Sequence, residues 1–181
     1  MQDLAQLRLK SKRLILRAIS LDDVSEIFQE FTTEIAAYMY PKPAQQIQDT
    51  ERYVRNAIYQ LQNGVDLTLV ILKQETLEFL GVCALLGINL ETPAFGIWLK
   101  KAAHRQGFGK EAIHCLKAWA DQNLEYDYLL YPVAKQNLPS RKIPISLGGY
   151  VIREFQQINL SGTLLEQVEY RIDRRSRGAA K

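Results

Sequence analysis

Apolar residues recur every three or four positions in three stretches of the chain, and this spacing predicts three amphipathic helices. The stretches follow residue 20, precede Asn63-Gly64, and follow Gly107. In each stretch the apolar side chains share one helix face, which we expect to pack on a common core. These residues are Val24, Ile27, Phe28 and Phe31 in the first, Ile47, Val54, Ala57, Ile58 and Leu61 in the second, and Phe108, Ala112, Cys115 or Leu116, and Trp119 in the third.

Capping and breaking residues mark the ends of the first two helices. Ser20 precedes the first stretch and Asp23 follows three residues later, which is the spacing of a capping box. Pro41 and Pro43 exclude helix and favour an extended loop between the two helices. Gly64 supplies a stop for the second helix. The first helix is therefore predicted to begin directly after Ser20.

Runs rich in β-branched and aromatic residues predict strands. Their sequences are RLILRAI, LTLVILK, LEFLGVCALLGINL, AFGIWL, YDYLLYPVA, YVIREFQQI and LLEQVEYRI. Short polar breaks separate the second, third and fourth runs, as in an antiparallel meander. The segment SRKIPISLGG predicts a short helix that ends at Gly148 and Gly149. The predicted order is β-α-α-β-β-β-α-β-α-β-β, and its simplest packing is an α+β domain with a mixed sheet.

Length and charge limit the number of domains and the partners. With 181 residues, 47% of them hydrophobic, the chain can form one sizeable core, so we expect one domain over residues 1–181. Lys and Arg number 23 against 20 Asp and Glu, a net charge of +3. Residues 171–181 hold five basic residues and one acid, and are predicted to form a flexible, solvated tail; the alternative is a nucleic-acid or ribosome contact by this tail. The remainder has a net charge of −1, which argues against a nucleic-acid partner.

Cys83 and Cys115 lie in apolar segments, without the His or Cys neighbours of a metal site or a redox motif. They are interpreted as buried, unreactive thiols, which favours a reducing compartment. The first residues, MQDLAQLRLKSKR, lack the apolar segment of a signal peptide. The longest apolar run, VCALL, is too short to cross a bilayer. We therefore expect a cytoplasmic protein with no metal site and no membrane partner.

Gly107 and Gly109 lie where the third helix is expected to begin, next to Arg105 and Lys110. A helix N-terminus exposes unpaired N–H groups, and glycines without Cβ atoms let phosphate oxygens approach them. The segment is either an anion site or only a strand-to-helix connection with solvated bases. A P-loop is excluded because its first glycine and its final Ser or Thr are missing. A dinucleotide fold fits poorly, because the acid required after the following strand is absent and the preceding strands are predicted to be antiparallel.

Five segments occur in the order and spacing of one large family: FGIWL, HRQGFGKEA, YLLYPVA, NLPS and SLGGY. With them the chain resembles the general N-acetyltransferase (GNAT) superfamily, and in particular its ribosomal-protein N-terminal acetyltransferase (RimJ/RimL-like) branch. The resemblance runs from RLILRAISLDD to about Tyr170, nearly the whole chain. It implies a single acetyltransferase-like domain with a central mixed, mostly antiparallel twisted sheet flanked by helices, and acetyl-CoA as cosubstrate.

The resemblance also implies which residues bind acetyl-CoA. In the family, the strand before the glycine turn hydrogen-bonds the pantetheine arm through its backbone, and the turn wraps the pyrophosphate through its amides. The first residue of NLPS would contact the pantetheine. The implied cofactor-binding residues are Ile97, Trp98 and Leu99 of the strand, His104, Arg105, Gln106, Gly107, Phe108, Gly109 and Lys110 of the turn, and Asn137 of NLPS.

Ser140 is the catalytic residue that the resemblance implies. It would lie near the sulfur of the cofactor, where a hydroxyl can donate a hydrogen bond to the departing thiolate. In the alternative, Ser140 caps the following helix, and one residue can do both. The implied reaction is direct attack of a primary amine on acetyl-CoA in a ternary complex, without a covalent acyl-enzyme.

The chain departs from the family pattern at three positions. His104 stands where Gln or Arg is usual, Ala94 where many relatives carry a Glu base, and Pro144 lies inside the helix after Ser140. No general base is therefore named, and a non-catalytic acyl-CoA-binding or regulatory module is the alternative function. The sequence does not specify the acceptor amine, on a protein N-terminus or on a small molecule. Family members often pair through edge strands, so a homodimer is a further expectation.

Overall fold

The computed structural model describes residues 4–174, which form one mixed sheet with helices on both faces. The strands are β1 (Arg8–Lys10), β2 (Leu14–Ala18), β3 (Asp66–Lys73), β4 (Phe79–Leu86), β5 (Ala94–Leu99), β6 (Tyr128–Ala134), β7 (Tyr150–Ile158) and β8 (Leu164–Asp173). The helices are α1 (Val24–Glu30), α2 (Thr33–Ala36), α3 (Ile47–Gln62), α4 (Phe108–Asn123) and α5 (Leu138–Ser146). Short 3-10 turns occupy Leu4–Gln6, Leu21–Asp23 and Lys101–Ala103.

The eight strands follow the order β1-β2-β3-β4-β5-β6-β8-β7. Every neighbouring pair is antiparallel except β5 and β6, which run parallel. The predicted meander corresponds to β3, β4 and β5, and the predicted final strand pair to β7 and β8. The α+β fold with a mixed, mostly antiparallel sheet flanked by helices is thus confirmed.

Helices cover both faces of the sheet and bury two apolar layers. α4 and α5 pack on one face, where Ile113 and Leu116 are fully buried. α1 and α3 pack on the other face, around Ile27 and Val54. The apolar stripes predicted from the sequence therefore point inward, except that Ile47, the first residue of α3, is 41% exposed.

Short elements differ from the sequence prediction. The sequence analysis does not predict β1 or α2, because an element of three or four residues is too short to show a periodic pattern of apolar residues. The capping box before the first helix is confirmed, since Ser20 N donates to Asp23 Oδ2 at 2.8 Å. The helix nevertheless starts as a 3-10 turn, and α1 begins at Val24.

The C-terminal segment continues the sheet further than the sequence suggests. Arg171 and Asp173, predicted to belong to a tail, are in β8. Arg174 Nη1 donates to Glu125 Oε2 at 2.7 Å. Residues 175–181, which hold the rest of the predicted basic tail, lie outside the described residues.

Candidate active site

β5 and β6 pair only where they begin. They share one register pair, Ala94 with Leu130, next to a hydrogen bond from Leu130 N to Pro93 O at 2.8 Å. Beyond it, β5 continues to Leu99 along β4, and β6 continues to Ala134 along β8. The sheet is therefore split between two parallel strands, and the split opens toward their carboxyl ends. Backbone groups that face such a split lack a neighbouring strand and are available to a ligand.

Three elements meet at Gly109, the second residue of α4. A Cβ atom placed on Gly109 would lie 3.5 Å from Ile143 Cδ1 of α5. The same atom would lie 3.5 Å from Leu99 Cδ1 and 3.6 Å from Ile97 Cδ1, both of β5. The first turn of α4 thus lies at the open end of the split, beside α5. These separations are ordinary van der Waals contacts, so packing within the described chain tolerates a Cβ at position 109.

The N-terminus of α4 has the backbone geometry of an anion site. Gly107 is its N-cap, with φ of +79°, a left-handed conformation that favours glycine. The first helical hydrogen bond joins Glu111 N to Gly107 O at 3.1 Å. The amides of Phe108, Gly109 and Lys110 therefore have no acceptor within the helix. Together with the helix dipole they favour a negatively charged group at this end.

Side chains of the turn before α4 bind the chain's own backbone. His104 Nε2 lies 2.9 Å from Leu99 O, at the end of β5. Gln106 Nε2 donates to Ala102 O at 2.7 Å. Arg105 has φ of +61°, a value that residues other than glycine rarely adopt. Residues with such strained backbone angles are found most often at functional sites. The bonds of His104 and Gln106 tie the turn to the end of β5 and to the 3-10 turn before it.

Arg13, a residue that the sequence analysis missed, braces this turn from the segment between β1 and β2. Its Nη1 donates to Gln106 O at 3.0 Å, and its guanidinium carbon lies 4.5 Å from the centre of the Phe108 ring. Its Nε donates to Glu111 Oε2 at 2.7 Å. Its Nη2 would lie 3.5 Å from a Cβ atom on Gly107. A cation thus stands beside the N-terminus of α4, and no local sequence pattern indicates it.

The Glu111 carboxylate is occupied by the turn between β1 and β2. Ser11 Oγ donates to Glu111 Oε1 at 2.8 Å, and Arg13 N donates to the same oxygen at 2.7 Å. Burial by itself would raise the pKa of Glu111, but these bonds and the Arg13 charge lower it. An open groove of about 660 Å³ beside them is also lined by Lys10 and Lys110. This side of α4 therefore carries more basic than acidic groups.

α5 begins directly after β6, and Asn137 is its N-cap. Asn137 Oδ1 accepts a hydrogen bond from Ser140 N at 3.3 Å. The alternative in which Ser140 caps this helix is therefore wrong, because Ser140 is the third residue of α5. The helix begins at Leu138, two residues before the predicted segment. Pro144 lies in the helix interior and has no N–H to donate to the carbonyl of Ser140, four residues earlier.

Ser140 contacts a buried tyrosine of β6. Its Oγ lies 2.8 Å from the hydroxyl of Tyr131, which is 2% exposed. Burial raises the pKa of Tyr131 to about 12, and the bond with Ser140 acts in the opposite direction. Tyr131 belongs to the run YDYLLYPVA, which the sequence analysis interprets only as a strand. The structure brings it to the residue that the family resemblance implies as catalytic.

Trp98 directs its side chain away from Ile97 and Leu99, its neighbours in β5. The Trp98 ring centre lies 5.0 Å from that of Phe31 and 5.8 Å from that of Phe79. Ile97 and Leu99 pack instead on the face covered by α4 and α5. The backbone groups of this segment alternate between its two edges: Lys100 N donates to Leu80 O of β4 at 2.8 Å, whereas Pro93 O accepts from Leu130 N of β6. In this alternation the backbone of Trp98 faces Val82 of β4, and only that of Ile97 and Leu99 faces the split, so the backbone contact predicted for Trp98 is not available to a ligand.

Neither cysteine is suited to nucleophilic chemistry. Cys83 is fully buried and Cys115 is half-buried. Burial raises the pKa of both thiols. A thiolate at either position is disfavoured. The predicted burial is confirmed for Cys83 and is wrong for Cys115, which lines the groove beside α4.

Residues 4–174 contain neither a cluster of metal ligands nor a membrane-spanning helix. In that range no three His, Cys, Asp or Glu side chains are placed to hold a metal ion. None of the helices in the same range is both long and apolar enough to cross a membrane.

The part of the chain that holds β5, the glycine turn of α4 and Ser140 also matches a known protein family. The sequence profile of the acetyltransferase (GNAT) domain matches residues 13–149, and the chain belongs to this family. A sequence search of curated proteins gives no match.

Solved structures have the same fold. The ribosomal L7/L12 alpha-N-protein acetyltransferase RimL in complex with coenzyme A has a TM-score of 0.82 and 18% identity, covering 92% of this chain and 98% of that chain. The Salmonella typhimurium acetyltransferase that modifies the N-terminal serine of L7/L12 has a TM-score of 0.80 and 18% identity, covering 92% and 99%. The microcin C7 self-immunity acetyltransferase MccE, in complex with acetyl-CoA and AMP, has a TM-score of 0.79 and 20% identity, covering 90% and 93%. RimL and the other two proteins thus share the fold of this chain.

Proposed function

We propose that this protein is an N-acetyltransferase that moves the acetyl group of acetyl-CoA to a primary amine by direct attack in a ternary complex. The observation that carries the proposal is the split between β5 and β6, with the glycine N-terminus of α4 at its open end and Ser140 beside it. Membership of the acetyltransferase family supports the same reaction.

In this proposal the diphosphate of coenzyme A binds the free amides of Phe108, Gly109 and Lys110. Each charge-assisted bond of this kind contributes about 1.5–3 kcal/mol. Arg105 and the Lys110 side chain neutralise further charge, as does Arg13 Nη2 next to Gly107. Glycine at position 109, which packing within the described chain does not require, leaves room for the phosphates.

The pantetheine arm lies along β5 in place of the missing neighbouring strand. It hydrogen-bonds the backbone of Ile97 and Leu99, which faces the split, while the amide nitrogen of Asn137 donates to it. The carbonyl of Leu99 lies 2.9 Å from His104 Nε2, which holds the turn against the end of this strand. The acetyl thioester then lies next to Ser140. RimL and MccE, whose solved structures contain coenzyme A or acetyl-CoA, support this arrangement through their common fold.

The reaction needs no covalent enzyme intermediate. The amine nitrogen attacks the thioester carbonyl carbon, the C–N bond forms, and the C–S bond breaks with its electron pair on sulfur. Ser140 Oγ donates a hydrogen bond to the departing thiolate, and the amine loses its proton to water. Holding donor and acceptor together supplies most of the acceleration.

We propose a protein N-terminus as the acceptor. The support is that two neighbours of the same fold are described as acetyltransferases of the ribosomal protein L7/L12 N-terminus. The rival acceptors are small-molecule amines. N-terminal peptides, polyamines, amino acids and aminoglycosides, each offered with acetyl-CoA, distinguish them by mass spectrometry of the acetylated product.

Calorimetry with acetyl-CoA and a steady-state assay of free-thiol release test the reaction. A ternary-complex enzyme gives intersecting initial-rate lines when both substrates are varied. Parallel lines would contradict direct attack. Binding of acetyl-CoA without thiol release in the presence of any acceptor would instead support a non-catalytic acyl-CoA-binding module.

We further propose a cytoplasmic homodimer. Both cysteines are unpaired, in keeping with a reducing compartment. β7 is an edge strand, and its apolar residues Tyr150, Val151, Ile152 and Ile158 are 41–64% exposed. Such edges are covered or paired in stable proteins. Sedimentation equilibrium tests the dimer, and Ile152→Lys should return it to a monomer if β7 is the interface.

A further inference from the structure

Two buried tyrosines on neighbouring strands hold α5 near its start. Tyr131 of β6 and Tyr170 of β8 are directly opposite each other in the sheet, and they are 2% and 3% exposed. The Tyr131 hydroxyl is 2.8 Å from Ser140 Oγ, while Arg141 Nε donates to the Tyr170 hydroxyl at 3.1 Å. Consecutive residues of α5 are thus each bound by one phenol from the sheet.

We propose that Tyr131 is a positioning residue, whose hydroxyl donates a hydrogen bond to Ser140 Oγ and so leaves the Ser140 O–H directed at the sulfur of coenzyme A. The inference rests on the proposed function and deepens it, because it assigns the direction of the one proton that Ser140 can offer. Neither the sequence pattern nor the family resemblance indicates a role for Tyr131.

Burial determines the direction of this hydrogen bond. A buried phenol needs an acceptor for its O–H, and within the described residues the hydrogen-bond partner of Tyr131 is Ser140. Ser140 is only half-buried and lies beside the open split, so a ligand can accept from its own O–H. The arrangement that satisfies both groups has Tyr131 donating to Ser140, and Ser140 donating outward.

Without the hydrogen bond from Tyr131, the Ser140 O–H can point in other directions. A hydroxyl O–H rotates about its C–O bond toward whichever acceptor is nearest, so the Ser140 proton could then point at Tyr131 and away from the split. The contact with Tyr131 holds Ser140 Oγ against β6. The Tyr131 ring itself is fixed in the core, with its centre 6.2 Å from that of Phe95.

The pair acts by hydrogen bonding and transfers no proton. Burial raises the pKa of Tyr131 to about 12, whereas a thiol ordinarily has a pKa of about 8.5. Moving a proton from Tyr131 through Ser140 to the thiolate would therefore be uphill. The sulfur leaves as thiolate with its electron pair, the C–N bond replaces the C–S bond, and the Ser140 O–H stabilises the anion.

The test measures the pKa of the coenzyme A thiol bound to the enzyme, from the ultraviolet absorbance of the thiolate as pH is varied. This readout requires no acceptor. We expect the pKa of the bound thiol to be lower in the wild type than in Tyr131→Phe or Ser140→Ala, by about 1. Ser140→Thr, which keeps the hydroxyl, should restore the wild-type value. Tyr170→Phe is the matched control, because it removes the neighbouring buried phenol and should leave the pKa of the thiol unchanged.

Kinetics give a second readout. We expect Tyr131→Phe to lower kcat about tenfold while KM for acetyl-CoA stays within about twofold. Ser140→Ala should lower kcat further, and the double variant should equal Ser140→Ala, because the phenol acts only through the serine. Tyr170→Phe should keep kcat within about twofold of the wild type.

The outcomes separate this inference from the proposed function. If the wild type does not bind coenzyme A, both are overturned. If the wild type acetylates an amine but Tyr131→Phe has the same kcat and the same pKa of the bound thiol, only the role of Tyr131 is overturned. Should Tyr131→Phe fail to fold, a ring-fluorinated tyrosine at position 131 replaces it. The fluorinated phenol is a stronger hydrogen-bond donor, so we expect the pKa of the bound thiol to fall below the wild-type value. An unchanged pKa would overturn the inference.

Discussion

Arg13 and Glu111 are joined by two hydrogen bonds, from Arg13 N to Glu111 Oε1 and from Arg13 Nε to Glu111 Oε2, each 2.7 Å long. The pair links the turn between β1 and β2 to the first turn of α4, across 98 residues of sequence. The Glu111 side chain is only 17% exposed. The N-terminal strands therefore hold the helix whose N-terminus forms the candidate phosphate site.

The first prediction concerns the stability that this link supplies. Glu111→Gln should lower the free energy of unfolding by about 1–3 kcal/mol, because the charge-assisted bonds from Arg13 and Ser11 are weakened in a partly buried place. Urea denaturation measures the change. The matched control is Glu51→Gln on α3, whose exposed ion pair with Arg55 should contribute less than about 1 kcal/mol. Equal losses in the two variants would mean that Glu111 contributes no more than a surface ion pair.

The second prediction is the pH dependence of the same contribution. The pKa of Glu111 is lowered in the folded protein, and an unperturbed Glu has a pKa of about 4.3 in the unfolded chain. Its contribution is therefore complete above about pH 4.3 and is lost as the pH falls through the lower, folded pKa. The difference in unfolding free energy between wild type and Glu111→Gln should shrink over that range. A difference that stays constant from neutral pH to acid would contradict the lowered pKa.

The third prediction separates the two glycines of the turn. Gly107→Ala should lower the free energy of unfolding by about 1 kcal/mol, because alanine is strained at φ of +79°. Gly109→Ala should leave stability nearly unchanged, since its Cβ finds ordinary contacts, yet weaken acetyl-CoA binding about tenfold or more. Thermal denaturation and calorimetry measure the two effects.

A glycine far from the site serves as the control for Gly107. Gly64, after α3, has φ of +67° and nothing within 4 Å of an added Cβ. Gly64→Ala should cause a similar loss of stability with no change in acetyl-CoA affinity. Wild-type affinity in Gly109→Ala would count against phosphate binding at this turn.

The fourth prediction divides two roles of Asn137. Asn137→Ala should lower the free energy of unfolding by about 1 kcal/mol, because α5 loses the side-chain acceptor for Ser140 N. Asn137→Asp keeps that acceptor and should preserve stability. Both variants lose the amide nitrogen and should weaken acetyl-CoA binding in calorimetry. Full affinity in Asn137→Asp would limit Asn137 to its capping role.

The parts of the fold that follow from local periodicity could be predicted from the sequence. α3 and α4 are long enough to show their apolar stripes, and β3, β4 and β5 carry dense runs of β-branched and aromatic residues. β1 and α2 are too short for a period to appear. The predicted start of α5 is wrong because a local sequence pattern does not distinguish Asn137 from Ser140 as the N-cap.

The sequence by itself determined the order of the longer helices and strands, their buried faces and the glycine turn, because each depends on residues within three or four positions of one another. The tertiary structure alone decided where β5 and β6 part, that Arg13 reaches Glu111, and that Tyr131 touches Ser140. These relationships depend on strand register and on how α4 and α5 pack across the sheet. Register and helix packing are set by the shape of the whole core, so short stretches of sequence do not encode them in a form that can be recognised locally.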